Sequence, residues 1–236
     1  MTIQLISYDV WRTLVKANPA YVELRSELIA SALGWTGDQA VLARAVKTAS
    51  KKLDDLSDAS GGAVQYSFTD RVTAAAKLVG LEPLSGSQLD ELRVSVYEAH
   101  LANLPSLLDA ELPSIFHRHN AEERKIAVIS NTGMTDGETL RQILVKLGLL
   151  EHVQYELYSD ILNLAKPDAR IFELLSRQSG MDARSILHVG DNQIADYDGA
   201  RKAGLQALLF APSKATNVPS ISRHDEVFGH LSMTIC

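Results

Sequence analysis

One cysteine stands in the 236 residues, and it is the last of them, Cys236. No disulfide can form within the chain, which points to a reducing compartment. Positive charge is in deficit: 23 Lys and Arg against 29 Asp and Glu leave a net charge of −6. A duplex binder usually shows a basic face, so no nucleic-acid partner is expected. A small anionic substrate is still allowed, because local charge in a pocket can oppose the overall sign. No apolar run approaches the roughly 18 residues that span a bilayer. Met1 to Asp9 lacks the basic segment, long apolar core and small-residue cleavage site of a signal peptide. These absences predict a cytoplasmic protein with no membrane partner. Internal repeats and low-complexity tracts are missing as well. What remains is a globular composition, 46% hydrophobic and 22% charged, enough for one large domain or two smaller ones.

Ile3 to Tyr8 is short, β-rich and mostly apolar, as a strand buried on both faces of a parallel sheet must be. From residue 20 to about 102 the pattern turns helical. Tyr21, Leu24, Leu28 and Ile29 recur at helical spacing, as do Val41, Leu42, Ala45 and Ala49, then Val72, Ala75, Ala76 and Val79, then Leu89, Leu92, Val96 and Tyr97. Asp70 and Ser87 suit N-cap or first-turn positions. The stretch Asp54–Tyr66 reads as the most loop-like part, and Leu104-Pro105 as an exit hinge. Strands at Lys125–Ser130, Tyr155–Tyr158, Ser185–Val189 and Gln206–Phe210 then alternate with helices at Leu112–His119, Gly137–Leu147, Ala169–Ser179 and Ala195–Ala203. That alternation predicts an α/β fold, a three-layer parallel sheet of Rossmann-like type with an inserted α-helical domain. The expected division is 1–15 with 105–236 for the sheet domain and 16–104 for the helices. Ser213 to Cys236 shows only weak periodicity and is assigned no element.

Right-handed crossovers place the carboxyl ends of all such strands on one edge, where ligands bind. Asp9, Ser130 and Asp191 each fall at a strand's carboxyl end, and Lys166-Pro167-Asp168 lies in a loop between helices and strands. A carboxylate, a hydroxyl, an ammonium and an acidic pair are the parts that hold a phosphate against a nucleophile. Each has an ordinary alternative: a capping Asp, a Ser/Asn turn, a solvated lysine before a helix-starting proline, an acid at a helix N-terminus. Three carboxylates converging with a phosphate dianion need more compensation than one Lys provides, which argues for Mg²⁺, a cation that takes oxygen ligands.

The ordered set Asp9-x-x-x-Thr13-Leu14, Ser130-Asn131-Thr132, Lys166-Pro167-Asp168 and Gly190-Asp191-(x)4-Asp196 resembles the haloacid dehalogenase-like hydrolase superfamily with a helical cap after the first motif, over nearly the whole chain. The resemblance implies Asp9 as a nucleophile that forms a covalent intermediate. Lys166 would neutralise phosphate charge and hold Asp9. Ser130 would bind a phosphate oxygen, aided by backbone N–H groups around Asn131 and Thr132. Mg²⁺ would be held by the Asp9 carboxylate, the Trp11 backbone carbonyl and Asp191, with Asp196 behind the metal or directly on it. The expected partner is a small phosphorylated substrate; the expected assembly is a monomer or homodimer.

Two positions depart from the family pattern. Its phosphatases usually carry a second Asp two residues after the nucleophile, as a general acid; here that residue is Trp11, which has no acidic proton near neutral pH. A missing general acid typically lowers the rate about 10²–10⁴-fold. Either the cap or water supplies the proton, or the leaving group needs none, or catalysis is impaired. Arg12 stands where Gly or Asn is common; it either binds an anionic substrate group or faces solvent on an ordinary turn. L-2-haloacid dehalogenases of the family have an aromatic residue at the position of Trp11, so metal-free dehalogenation is an alternative, against which Gly190-Asp191 weighs. A phosphate-binding protein without catalysis is a third. Tyr21, Arg25, Arg44 and Tyr66 are candidates to line the site, with nothing to separate them from packing and surface residues.

Overall fold

The computed structural model describes residues 2–213 and 215–231; Met1 and Cys236, the two ends of the expected sheet domain, lie outside them. In chain order the elements are β1 (Leu5–Tyr8), β2 (Val15–Lys16), α1 (Pro19–Ala32), α2 (Gln39–Ala59), α3 (Phe68–Leu78), α4 (Gly86–Ala102), β3 (Ser106–Leu107), α5 (Leu112–Ala121), β4 (Lys125–Ser130), α6 (Gly137–Lys146), β5 (Tyr155–Tyr158), α7 (Ser159–Leu162), α8 (Ala169–Ser179), β6 (Ile186–Gly190), α9 (Gly199–Lys202), β7 (Gln206–Phe210) and β8 (Ser220–Ile221).

Six strands form one parallel sheet in the order β5-β4-β1-β6-β7-β8. β1, β6 and β7 are buried at every residue, which is why their sequences are near-continuous apolar runs. Ile6, Tyr8, Val128 and Val189 point to one face, under α5 and α6 through Phe116 and Leu140. Leu5, Ala127, Ile129 and Ile186 point to the other, under α8 through Ile171, Phe172 and Leu175. The chain builds outward from β1 in both directions, to β4 and β5 on one side and to β6, β7 and β8 on the other. The carboxyl end of β1 is therefore the switch point of the sheet, where such folds leave a crevice.

Between β1 and β4 the chain leaves this layer and returns. β2 and β3 pair antiparallel, with Val15 opposite Leu107 and Lys16 opposite Ser106, so exit and re-entry are tied together. Asn18 adds a side-chain bond to the Leu104 carbonyl at 3.2 Å, beside the expected hinge. Helices α1–α4 close on their own core of Tyr21, Ile29, Leu42, Val46, Val72 and Leu92, among others. Ser67 and Ser85 cap α3 and α4 in reciprocal boxes with Asp70 and Gln88, which puts Asp70 and Ser87 in first turns rather than at the caps. Among the described residues no helix is long and apolar enough to cross a membrane.

Three local expectations are corrected. Asp54–Ala59 is helical, the last part of α2, and only the residues after it form a loop; the acidic run sits on a helix end whose core contacts were made earlier, by Leu42, Ala45, Val46 and Ala49. The helix expected from Ala195 begins at Gln193 with a wide π-helical turn, Gln193–Asp198, because the Asn192 side chain accepts from the Ile194 and Ala195 N–H groups. In the C-terminal stretch, β8 extends the sheet and a 3₁₀ segment at His224–His230 puts Val227 into the core.

Candidate active site

Lys166 is 1% exposed, and its ammonium lies at the centre of the carboxyl edge. It donates to Asp9 Oδ1 at 2.6 Å and to the Ile129 carbonyl at 2.7 Å, and it pairs with Asp196 Oδ1 at 2.7 Å. Residues from β1, from the end of β4 and from the turn after β6 thus meet on one nitrogen. Burial alone would pull the ammonium pKa down; the Asp196 and Asp9 carboxylates outweigh it and hold it above the ordinary lysine value.

The two carboxylates divide this cation unequally. Burial pushes Asp196 up, but Lys166 and the His188 ring oppose it, and the net result is a carboxyl well below its usual range. His188 Nε2 lies 3.2 Å from Asp196 Oδ1, the Asn192 N–H donates to Oδ2 at 2.9 Å, and His188 Nδ1 lies 2.7 Å from the Ser7 hydroxyl. Burial holds that imidazole below its ordinary pKa, so it sits as a neutral N–H donor to Asp196. Asp9 has less support: Lys166 on Oδ1 and a long contact from the Thr13 hydroxyl, 3.4 Å, on Oδ2. Burial pushes it up, Lys166 pulls it down, Asp196 and Asp191 push it up again, and it settles at about 7. Gly190 is needed for this packing, since a Cβ there would lie 2.2 Å from Asp196 Cγ.

Asp191 completes the acidic group. One carboxylate oxygen each of Asp9, Asp191 and Asp196 lies within 4.8 Å of the others. Three hard oxygen donors at one point, with a single ammonium against them, fit a small divalent cation. Burial pushes the Asp191 carboxyl up, against the pull of Arg12. Arg12 adopts φ +62°, the left-handed conformation that the motif's turn requires, and its Nε lies 3.2 Å from Asp191 Oδ2. The Arg12 side chain is 74% exposed at the mouth of the cavity, and its partner is this carboxylate.

The Ser130 segment is placed differently from expectation. Ser130 ends β4 but is fully buried, its hydroxyl contacts the Asn131 carbonyl at 3.5 Å, and it is not among the residues lining the cavity. Asn131 does line it, yet its amide group clamps the Lys166 backbone, donating to the carbonyl at 2.7 Å and accepting from the N–H at 2.9 Å. The Thr132 N–H is taken by Ser159 Oγ at 2.9 Å, so it is not a free donor. The Asn131 side chain and the Thr132 N–H thus serve here to fix Lys166 and the start of the following loop.

Above these groups lies a cavity of about 370 Å³. Its floor carries Asp9, Lys166, Asp191 and Asp196, and its upper wall comes from α1, α2 and α3. Of the four candidates, Tyr21 and Arg25 line it; Arg44 is exposed elsewhere, and Tyr66 lines a neighbouring pocket. The sequence reading missed Asp54, Asp58 and Arg71 in that wall. Arg71 is 6% exposed and donates to Asp54 Oδ1 at 2.7 Å, to the Ser50 carbonyl at 3.1 Å and to the Tyr66 carbonyl at 3.3 Å. Gly133 touches it so closely that a Cβ there would lie 2.7 Å from the guanidinium carbon. Trp11 lines the cavity and stacks on His100 at 5.9 Å, which stacks on Tyr21 at 3.6 Å. Burial, then Arg25, lowers the His100 pKa to about 4, so this ring is neutral and supplies no proton to the site.

The family model for haloacid dehalogenase-like hydrolases matches residues 3–204. The chain belongs to that family. A human protein, haloacid dehalogenase-like hydrolase domain-containing protein 3, is 38% identical over 91 residues, 39% of this chain and 35% of the relative. A phosphoserine phosphatase of Thermus thermophilus is 35% identical over 83 residues, 35% of this chain and 32% of the relative. The chain spans about a third to a half of the length of the curated relatives it matches. Among solved structures, a HAD-hydrolase from Bacillus subtilis, YfnB, bound to magnesium, has a TM-score of 0.72 at 19% identity, covering 99% of this chain and all of the other. At that identity the likeness speaks for the fold.

Proposed function

We propose that this hydrolase is a Mg²⁺-dependent phosphohydrolase acting on a small phosphorylated metabolite through an aspartyl-phosphate. The observation that carries the reading is the Lys166 ammonium shared between Asp9 and Asp196, with Asp191 close enough to complete a cation site. Asp9 Oδ2 is the freer oxygen of the nucleophile, and attack on phosphorus from there leaves Lys166 on Oδ1 to hold the carboxylate in place. Asp9, Asp191 and, by family resemblance, the Trp11 carbonyl would hold Mg²⁺, with Asp196 behind it; the ion would neutralise charge that otherwise pushes Asp9 toward protonation. Residues 16–104 would act as a cap, excluding water from the edge and shaping the substrate pocket. The phosphatase relative and the magnesium-bound neighbour support the same assignment.

The test is steady-state hydrolysis of p-nitrophenyl phosphate and a panel of phosphate esters, with and without Mg²⁺. Wild-type turnover that needs the metal and disappears in Asp9→Asn is expected. A wild type inert toward the whole panel, or an Asp9→Asn variant with full activity, overturns the reading. A second reading, metal-free dehalogenation, is favoured by the aromatic Trp11 beside the nucleophile; chloride release from 2-chloropropionate in EDTA would establish it.

A further inference from the structure

A phosphate ester needs a proton on its leaving oxygen, and the position that usually supplies it is Trp11. The cavity itself limits the alternatives. Guanidinium groups of Arg12, Arg25 and Arg71 do not release protons. Burial raises the Tyr21 phenol above its ordinary pKa. Asp191 is paired with Arg12, and Asp54 with Arg71. Among the described residues lining the cavity, the carboxyl with no ion pair and no side-chain hydrogen bond is Asp58, near the C-terminal end of α2.

That helix end is docked firmly on the catalytic edge. Gly62, buried and at φ +81°, lies so close to the segment before Lys166 that a Cβ would stand 2.3 Å from the Ala165 carbonyl oxygen and 3.1 Å from the Asp168 nitrogen. The last turn of α2 is thereby held over the loop that presents Lys166, and Asp58 lines the same cavity as Asp9. We propose that Asp58 is the proton donor to the leaving oxygen, replacing the acid absent at Trp11. This rests on the phosphohydrolase reading above. Its surroundings agree: partial burial, then Asp54 and Asp55 on its own helix and Asp196 from across the cavity, push the Asp58 carboxyl up, against the pull of Lys51. Asp9, Arg12, Arg25, Arg71, Lys166 and Asp191 are the other charged groups that line the same cavity.

In the first step Asp9 forms a bond to phosphorus and the bond from phosphorus to the ester oxygen breaks. The Asp58 proton passes to that oxygen, giving the alcohol and leaving Asp58 as carboxylate. In the second step water attacks phosphorus, Asp58 takes the water proton, and Asp9 and inorganic phosphate are released, so the cycle closes with Asp58 protonated.

The experiment compares kcat/KM of wild type, Asp58→Asn and Asp58→Glu on p-nitrophenyl phosphate and on glycerol 3-phosphate with Mg²⁺. This parameter reports only steps up to loss of the alcohol. Nitrophenolate leaves without a proton; an alkoxide does not. In Asp58→Asn the alkyl ester should lose about 10²–10⁴-fold while the aryl ester changes little, which also shows that the variant folds. Asp58→Glu should recover part of the loss. The alkaline fall of kcat/KM on the alkyl ester, expected as the acid loses its proton, should vanish in Asp58→Asn. Equal losses on both esters, or none on either, in an active enzyme overturn the role of Asp58 while leaving the phosphohydrolase reading intact. A wild type with no turnover of either ester overturns both.

Discussion

Replacing Lys166 with Met tests the electrostatic centre of the molecule without a change of bulk. The ammonium answers two buried carboxylates and one carbonyl at 2.6–2.7 Å. Asp9 and Asp196 are 8% and 2% exposed, so water cannot take its place. Removing one partner of a buried pair leaves an uncompensated charge and destabilises by about 3–5 kcal/mol. In the variant Asp196 loses the main cause of its depressed pKa, and burial together with Asp9 then raises it. Wild-type Asp196, held low, stays ionised in the folded protein well below the unfolded carboxylate value near 4. The variant's folded state instead binds an additional proton above that value. Its stability therefore rises relative to wild type as pH falls, by at most about 1.4 kcal/mol per pH unit for one proton. Asp9 already stands at about 7 in the wild type and gives both proteins a slope of that same sign, so it largely cancels in the comparison. Urea unfolding in EDTA, followed by Trp11 and Trp35 fluorescence at pH 7 and pH 5, reads the difference. A deficit of about 3–5 kcal/mol at pH 7 that narrows by about 1–3 kcal/mol at pH 5 is expected. A deficit below about 1 kcal/mol at pH 7, or one independent of pH, refutes the account of Lys166 as the compensating charge.

Gly190→Ala should destabilise by about 1–3 kcal/mol, because the added carbon overlaps the Asp196 carboxylate and forces it from its N–H donors; an unchanged urea midpoint would contradict the packing described. Arg12→Gly removes the competitor for Asp191 and suits the φ of +62°. Since the Arg12 side of the pair is exposed and screened by water, the pair is worth about 0.2–1 kcal/mol, and Mg²⁺ measured by isothermal titration should bind up to about fivefold tighter; weaker binding would mean that Arg12 supports the cation site instead.

The sheet was legible because its strands are buried on both faces. Apolar runs such as Lys125–Ser130 and Gln206–Phe210 end where the pattern says they end. The polar members of those strands were not legible. Ser7 and His188 look like interruptions of two separate apolar runs, 181 residues apart. Only the register, which sets Ser7 beside His188, shows that they join to hold Asp196 from behind. Asn131 carried a signal, its place after a strand, but the sequence cannot say that its amide is engaged by the Lys166 backbone instead of facing a ligand.

The helical wall shows the same limit with a larger consequence. Asp54, Asp55 and Asp58 form a polar cluster that reads as a loop, and Arg71 reads as one more surface charge on an amphipathic helix. Folding makes Arg71 a buried cross-brace that claims Asp54 and leaves Asp58 without a partner above the site. A partly buried carboxyl with no ion pair of its own, and with several anions around it, retains its proton more readily than an exposed one. On the floor Asp196 has the opposite arrangement and is kept ionised by the ammonium and the imidazole. A carboxyl pushed toward protonation, Asp58, and one held ionised, Asp196, thus line one cavity, the separation that a proton donor and an ionised carboxylate require. Because the donor side belongs to α2 and the ionised side to the sheet edge, the two roles come together only while Gly62 and Gly133 stay seated against their neighbours. An added side chain at Gly62 would press on the Ala165 carbonyl and the Asp168 nitrogen, on either side of Lys166, and so would disturb both roles at once.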